Sequence, residues 1–255
     1  MNTIKNLKTV KENLENVVER VQYACQKAGR DRESVTIIPV TKTVDIKRIK
    51  EAIECGYHEI AENKVQEAEN KANLLKDGTP SLIWHFVGHL QSNKVNKVVQ
   101  FASMIQSIDR MKMVKKLNKQ LNKLGKNMPV LIQINVSGED SKYGLHPDEA
   151  LSFIEQAVAY EHIKIKGLMT IGLFSDDWPE VRKGFRLLRE LRDNIEAKNI
   201  PGVEMDILSM GMTNDFEIAI EEGATMVRIG RAIFGERDHP DSYYWPGIGT
   251  ENVDK

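Results

Sequence analysis

The feature of this sequence that most restricts its fold is an alternation. Eight short runs of β-branched or aromatic residues are separated by charged stretches with apolar residues at helical spacing. The short runs are residues 35–41, 59–62, 84–88, 104–108, 130–136, 165–171, 205–210 and 226–229. Between them lie VDIKRIKEAIECG, KVQEAENKANLL, NKVNKVVQFA, MVKKLNKQLNKLG, HPDEALSFIEQAV, WPEVRKGFRLLRELRDNIEAK and DFEIAIEEGA, each of which reads as helix. Strands that alternate with helices are joined by crossovers and therefore run parallel. Eight such units close into a barrel. An open, doubly wound sheet is the rival, but the count of eight and the lack of a glycine-rich turn after the first run favour closure. Ahead of the alternation, residues 3–28 carry Val10, Leu14, Val17, Val18, Val21 and Ala24 at helical spacing, and Gly29 stops them. The expected fold is α/β, a single (β/α)8 TIM-type barrel with an extra N-terminal helix. It occupies residues 1–255 as one domain, because no Pro- or Gly-rich linker divides the chain. Residues 236–255, GERDHPDSYYWPGIGTENVDK with its preceding glycine, read as a partly irregular tail.

Composition narrows the class of function. Lys and Arg total 36 against 37 Asp and Glu, a net charge of −1, so the basic surplus of a large nucleic-acid footprint is missing. Cys25 and Cys55 have no metal-ligand spacing and read as free thiols of a reducing compartment. The opening MNTIKNLKTVKENLENV lacks an apolar core of signal-peptide length. No stretch approaches the ~20 apolar residues of a membrane span. A cytoplasmic protein is expected, with neither nucleic acid nor membrane as partner.

In a barrel of this kind chemistry gathers at the C-terminal ends of the strands. The first run ends in Thr41-Lys42-Thr43. A lysine there, desolvated and near other cations, gives up its proton readily and can attack a carbonyl. It can equally be a solvated strand-end lysine. Asn63, after the second run, can orient a ligand or cap the helix that follows. His85 and His89 invite a zinc reading, but neither a neighbouring glutamate nor a third ligand accompanies them, so lining the mouth or capping the next helix is preferred. Loops after the seventh and eighth strands often bind phosphate in barrels. Ser209, Thr213 and the backbone amides around Gly230 and Arg231 suit that role. Asn214 and Glu217 form a possible capping pair for the helix after them.

These fragments combine into a resemblance. VTKT, ENKVQE, WHFVGHLQSNK, SGEDSKYGL, KGLMTIG, LSMGMTNDFEIAIEEGATMVRIG and RAIFG resemble the pyridoxal phosphate homeostasis protein family from about Val35 to Gly235. The family is similar in fold to the barrel domain of alanine racemase. The resemblance implies pyridoxal 5′-phosphate as cofactor, held as a Schiff base on Lys42. It also implies Asn63 near the ring, and Ser209 and Thr213 at the two hydroxyl positions, with Thr213 at the phosphate. Arg228 would face the pyridine nitrogen, and Gly230 with the next residue would supply phosphate-binding backbone. One departure stands out: many members carry a small hydroxyl residue where this chain has Arg231.

The resemblance further implies a carrier, with no catalytic residue and no metal. Arginine is a charged, donor-only group. At Arg228 it keeps the ring nitrogen unprotonated and the electron sink weak. Racemases of the related fold tolerate this, but add a second domain and a tyrosine from a partner subunit. Tyr243 and Tyr244 are expected to pack on the barrel instead. The expected function is intracellular vitamin B6 homeostasis by a monomer that passes its cofactor to apo-enzymes. The alternatives are an amino-acid racemase dependent on pyridoxal phosphate and a Schiff-base aldolase in which Lys42 works without cofactor.

Overall fold

The computed structural model describes residues 9–76, 81–139 and 142–236. Helix α1 (Val10–Lys27) opens with a capping box. The Glu12 amide donates to the Thr9 hydroxyl at 3.2 Å, and the Thr9 amide donates to the Glu12 carboxylate at 2.8 Å. The helix buries Val10, Leu14, Val17, Val21 and Ala24, the stripe expected from their spacing, while Val18 is half-buried. Residues 3–8 of the predicted helix lie outside the described residues.

The alternation then unfolds as β1 (Thr36–Pro39), α2 (Ile46–Glu54), β2 (Glu59–Glu62), α3 (Val65–Leu74), β3 (Ile83–Phe86), α4 (Val95–Phe101), β4 (Met104–Ile108) and α5 (Met111–Leu124). It continues through β5 (Met128–Gln133), α6 (Ala150–Ala157), β6 (Ile163–Met169), α7 (Trp178–Glu196), β7 (Val203–Ser209), α8 (Phe216–Glu221), β8 (Met226–Ile229) and α9 (Arg231–Phe234). All strands pair in parallel in the order β1-β8-β7-β6-β5-β4-β3-β2. The ring closes between β1 and β2 through one bridge, Val40 with Ala61, beside which the Thr41 amide donates to the Ala61 carbonyl at 2.9 Å. This is the expected TIM-type barrel.

Three strands match their sequence runs, and the other runs extend past the observed C-terminal ends. The reason is physical. Thr41 and Val87 are buried although the ladder has already ended: Val87 lines the cavity at the barrel mouth, and Thr41 is held on the helix side by Glu62 and Lys71. Burial there continues the apolar signal beyond the strand. Helix α9 was not expected, since RAIF is a single turn with no room for a period. Interior and exterior faces alternate as strands require. Ile38, Ala61, Val87 and Met226 pack together inside the ring, whereas a larger cluster that includes Phe86, Phe185 and Phe216 fills the layer between strands and helices. Among the described residues no helix is long and apolar enough to cross a membrane. The tail, with Tyr243 and Tyr244, falls outside the described residues apart from Glu236.

Candidate functional site

Lys42 follows β1 and is only 4% exposed. Its two neighbours are held from outside the barrel. Thr41 donates its hydroxyl hydrogen to Glu62 Oε1 at 2.7 Å, and the Thr43 amide donates to Glu67 Oε1 at 2.5 Å. Lys71 on α3 ties the set together: its Nζ donates to the Thr41 carbonyl (2.6 Å), Glu62 Oε1 (2.8 Å) and Glu67 Oε1 (2.7 Å). Thr43 adopts a φ of 64°, an unfavourable left-handed conformation for a β-branched residue. Burial pushes the Glu62 carboxyl up to about 7 against the pull of Lys71. The turn that carries Lys42 is therefore pinned on the helix side, which leaves the lysine to the barrel mouth. Sequence reasoning missed this cluster; the Glu67–Lys71 spacing of four on one helix was its visible sign.

Two adjoining cavities open at the mouth, and Val40, Lys42 and Arg231 belong to the walls of both. The first is lined also by Val87, Ile171, Phe174, Thr213, Asp215 and Arg228. The second is lined by Thr43, Arg48, Gly230 and Gly235. The structure thus brings together Lys42, Thr213, Arg228, Gly230 and Arg231. Thr213 accepts the Ala232 amide at 3.3 Å, which fastens the loop after β7 to the start of α9.

Arg228 is buried at the wall of the first cavity. One nitrogen donates to Ser209 Oγ at 2.6 Å and another to the Thr170 carbonyl at 2.7 Å. Burial lowers its guanidinium to about 10, and Asp215 opposes that shift. Asp215 is itself raised to about 6 by burial, although it accepts the Met212 amide at 2.6 Å. Asp215 and the half-buried Lys142, which pairs with Glu139 at 2.7 Å, also line the first cavity, and sequence reasoning had singled out neither.

Asn63 and Ser209 stand behind these walls. Asn63 does not cap α3, whose first residue is Val65 and which has no side-chain cap. Its Oδ1 is buried and has no hydrogen-bond partner. Gly88 presses on it: a Cβ at 88 would lie 1.9 Å from the Asn63 carbonyl oxygen. Ser209 is fully buried, and its hydroxyl is shared between Arg228 and Gln106. The proposed Asn214–Glu217 capping pair is not formed. Helix α8 has no side-chain cap, and Glu217 is drawn instead to Arg20 at 2.6 Å.

The two histidines part company. His85 is 2% exposed inside the barrel, whereas His89 stacks on Tyr143 with ring centroids 3.8 Å apart. His85 thus lines neither the mouth nor a helix start, because its alternating position on β3 turns it inward. Among the described residues no group of three or more His, Cys, Asp or Glu is placed to hold a metal ion.

The alanine racemase N-terminal domain family matches residues 8–238, which places the chain in the class of barrels built like that domain. The pyridoxal phosphate homeostasis protein of Aquifex aeolicus is 41% identical over 89% of this chain and 98% of its own length. The human protein of the same name is 39% identical over 89% of this chain and 86% of its own. PipY of Synechococcus elongatus, solved with pyridoxal phosphate bound, superposes with a TM-score of 0.75 at 30% identity, covering 86% of this chain and all of that one. Alanine racemase of Clostridium difficile, at 14% identity and a TM-score of 0.67, is alike in fold, and the match spans 92% of this chain but 58% of the racemase. The chain belongs to the pyridoxal phosphate homeostasis protein family.

Proposed function

We propose that this protein binds pyridoxal 5′-phosphate as a Schiff base on Lys42 and serves intracellular vitamin B6 homeostasis as a carrier. The observation that carries the reading is the place of Lys42: a buried residue on the wall shared by two cavities, the first of which is lined also by the buried Arg228. The residues fit the cofactor in kind. The buried, unsatisfied Oδ1 of Asn63 is a polar group awaiting a partner near that lysine's strand. Thr213, Gly230 and Arg231 gather where one anionic group would take backbone, hydroxyl and guanidinium donors together. Arg231 offers a charge in place of the small hydroxyl of many relatives.

When bound, the cofactor supplies an electrophilic carbonyl and an electron-withdrawing ring. The chain's own part is to hold it. Lys42 would hold the carbonyl carbon, Asn63 would orient the ring, and Thr213, Gly230 and Arg231 would retain the phosphate. Arg228, a donor held by Ser209, would face the ring nitrogen and oppose its protonation, which favours storage over α-carbon chemistry. A monomer in the cytoplasm that releases its cofactor to apo-enzymes completes the reading.

One observation favours the racemase alternative: Asp215, raised to about 6, lines the same cavity as Lys42 and is an acid–base group near neutrality. Steady-state turnover with alanine, serine and glutamate separates the two. Cofactor-saturated protein should show no Lys42-dependent rate near the ordinary enzyme range of about 1–10³ s⁻¹. A rate in that range, abolished by Lys42→Ala, would replace the carrier with an enzyme.

A further inference from the structure

The inside of the barrel holds a column of polar side chains that runs from the mouth to the floor. It starts at Arg228, whose guanidinium donates to Ser209 Oγ at 2.6 Å. The Ser209 hydroxyl donates to Gln106 Oε1 at 2.7 Å, and Gln106 Nε2 stands 2.9 Å from His85 Nδ1. His85 Nε2 stands 3.1 Å from Glu59 Oε2. Ser209, Gln106, His85 and Arg228 are all buried. Glu59, the first residue of β2, shares with His85 a cavity at the opposite end of the barrel, lined also by Met104, Asp206, Thr225 and Met226.

The chemistry of the two ends fixes every bond between them. A guanidinium only donates, so the Ser209 oxygen accepts and its single proton must go to Gln106. That sets the amide with its oxygen toward Ser209 and its nitrogen toward His85. The second amide hydrogen is taken by Met226 Sδ at 3.1 Å. His85 Nδ1 then receives a hydrogen and carries none, so the ring proton sits on Nε2 and is given to the Glu59 carboxylate. The bond to His85 holds the Glu59 carboxyl below the usual carboxylate range. Four groups from β8, β7, β4 and β3 thus point their donors one way, from a buried cation to the Glu59 carboxylate of β2, and bonds aligned like this strengthen one another.

We propose that Glu59, His85, Gln106 and Ser209 are positioning residues that lock the Arg228 guanidinium in its ring-facing orientation before any cofactor arrives. The proposal rests in part on the cofactor reading above, since the ring is what Arg228 is positioned for. Without the column, the Ser209 hydroxyl is free to turn and the guanidinium keeps only the Thr170 carbonyl as a fixed acceptor, so a donor held at two points becomes one held at a single point.

The test has two arms. In cofactor-free protein, ¹⁵N NMR of the histidine rings, with His85 assigned by its loss in His85→Gln, should show a neutral ring protonated on Nε2. Gln106→Glu, which offers acceptors to both neighbours, should convert His85 to imidazolium. A wild-type His85 protonated on Nδ1, or a ring unchanged by Gln106→Glu, overturns the column. In the second arm, pyridoxal phosphate is titrated into His85→Leu and His85→Gln, both checked for folding by circular dichroism. Leucine breaks the chain, and the Kd should rise about tenfold or more with a shifted absorption band. Glutamine has both an acceptor and a donor and should restore Kd to within about threefold. A folded His85→Leu that binds like wild type, or a His85→Gln as impaired as His85→Leu, refutes the positioning role. Wild-type protein that binds no pyridoxal phosphate would sink the cofactor reading instead, and the NMR arm would still decide whether the column exists.

Discussion

Asp215→Asn isolates the energetic consequence of keeping an acid in the cavity beside Arg228. Folding raises the Asp215 carboxyl from 3.8 to about 6, chiefly by burial, with Arg228 and the Met212 amide only partly offsetting it. A raised acid means that the folded state holds its proton more tightly than the unfolded chain. The associated stability is complete below pH about 4 and is lost as pH rises through about 6. A shift of this size corresponds to about 3 kcal/mol between those limits. Asparagine keeps an oxygen for the Met212 amide but cannot ionise. Urea unfolding of wild type and Asp215→Asn at several pH values between 4 and 8 should therefore give two curves that diverge. The variant should match wild type to within ~1 kcal/mol at pH 4 and be more stable by a few kcal/mol at pH 8, up to the ~3 kcal/mol above. A difference that does not change with pH would refute the claim that Asp215 is ionised at the expense of folding. Reduced stability of the variant at pH 8 would show that its charge is needed by Arg228.

Other outcomes follow from the same geometry. Lys71→Met leaves Glu62 and Glu67 without their shared cation, and breaking a buried pair in this way should destabilise by about 3–5 kcal/mol in denaturant unfolding; a loss under 1 kcal/mol would mean that Lys71 does not brace the Lys42 turn. Gly88→Ala drives a methyl into the Asn63 carbonyl, so the melting temperature should fall by several degrees, in line with roughly 1–3 kcal/mol of overpacking, and pyridoxal phosphate binding should weaken with it. Pyridoxal lacking its phosphate should bind at least about 100-fold more weakly than the phosphorylated form, because each charge-assisted bond at Thr213, Gly230 and Arg231 is worth about 1.5–3 kcal/mol; equal affinities measured by calorimetry would remove that cradle.

The barrel was legible because strand and helix periods differ and because eight short apolar runs are separated by long charged ones. The runs at 59–62, 104–108 and 226–229 match β2, β4 and β8 residue for residue. Elsewhere the strand ends blurred, since Thr41 and Val87 stay buried where the ladder stops and the mouth begins. Lys42, Thr213, Gly230 and Arg231 stood out as ends of strands with reactive or phosphate-suited groups. Ser209 was read as a cofactor-binding hydroxyl, and its links to Arg228 and Gln106 across the barrel could not be read from the chain. His85 and Gln106 lie 21 residues apart and look unrelated along the chain. Only closure of the ring, which turns one face of every strand to a common axis, brings them within a hydrogen bond. Asp215 was hidden for a similar reason: an acid near a helix start reads as surface chemistry until α8 is seen to bury it.

The central claim is that Lys42 forms the bond to pyridoxal phosphate. Its most direct measurement is borohydride reduction of the cofactor-loaded protein followed by peptide mapping. One pyridoxyl-modified residue, Lys42, is expected, with loss of both the label and the Schiff-base absorption band in a folded Lys42→Ala variant. Modification chiefly at Lys64, Lys94 or Lys142, or a band that survives Lys42→Ala, would contradict it.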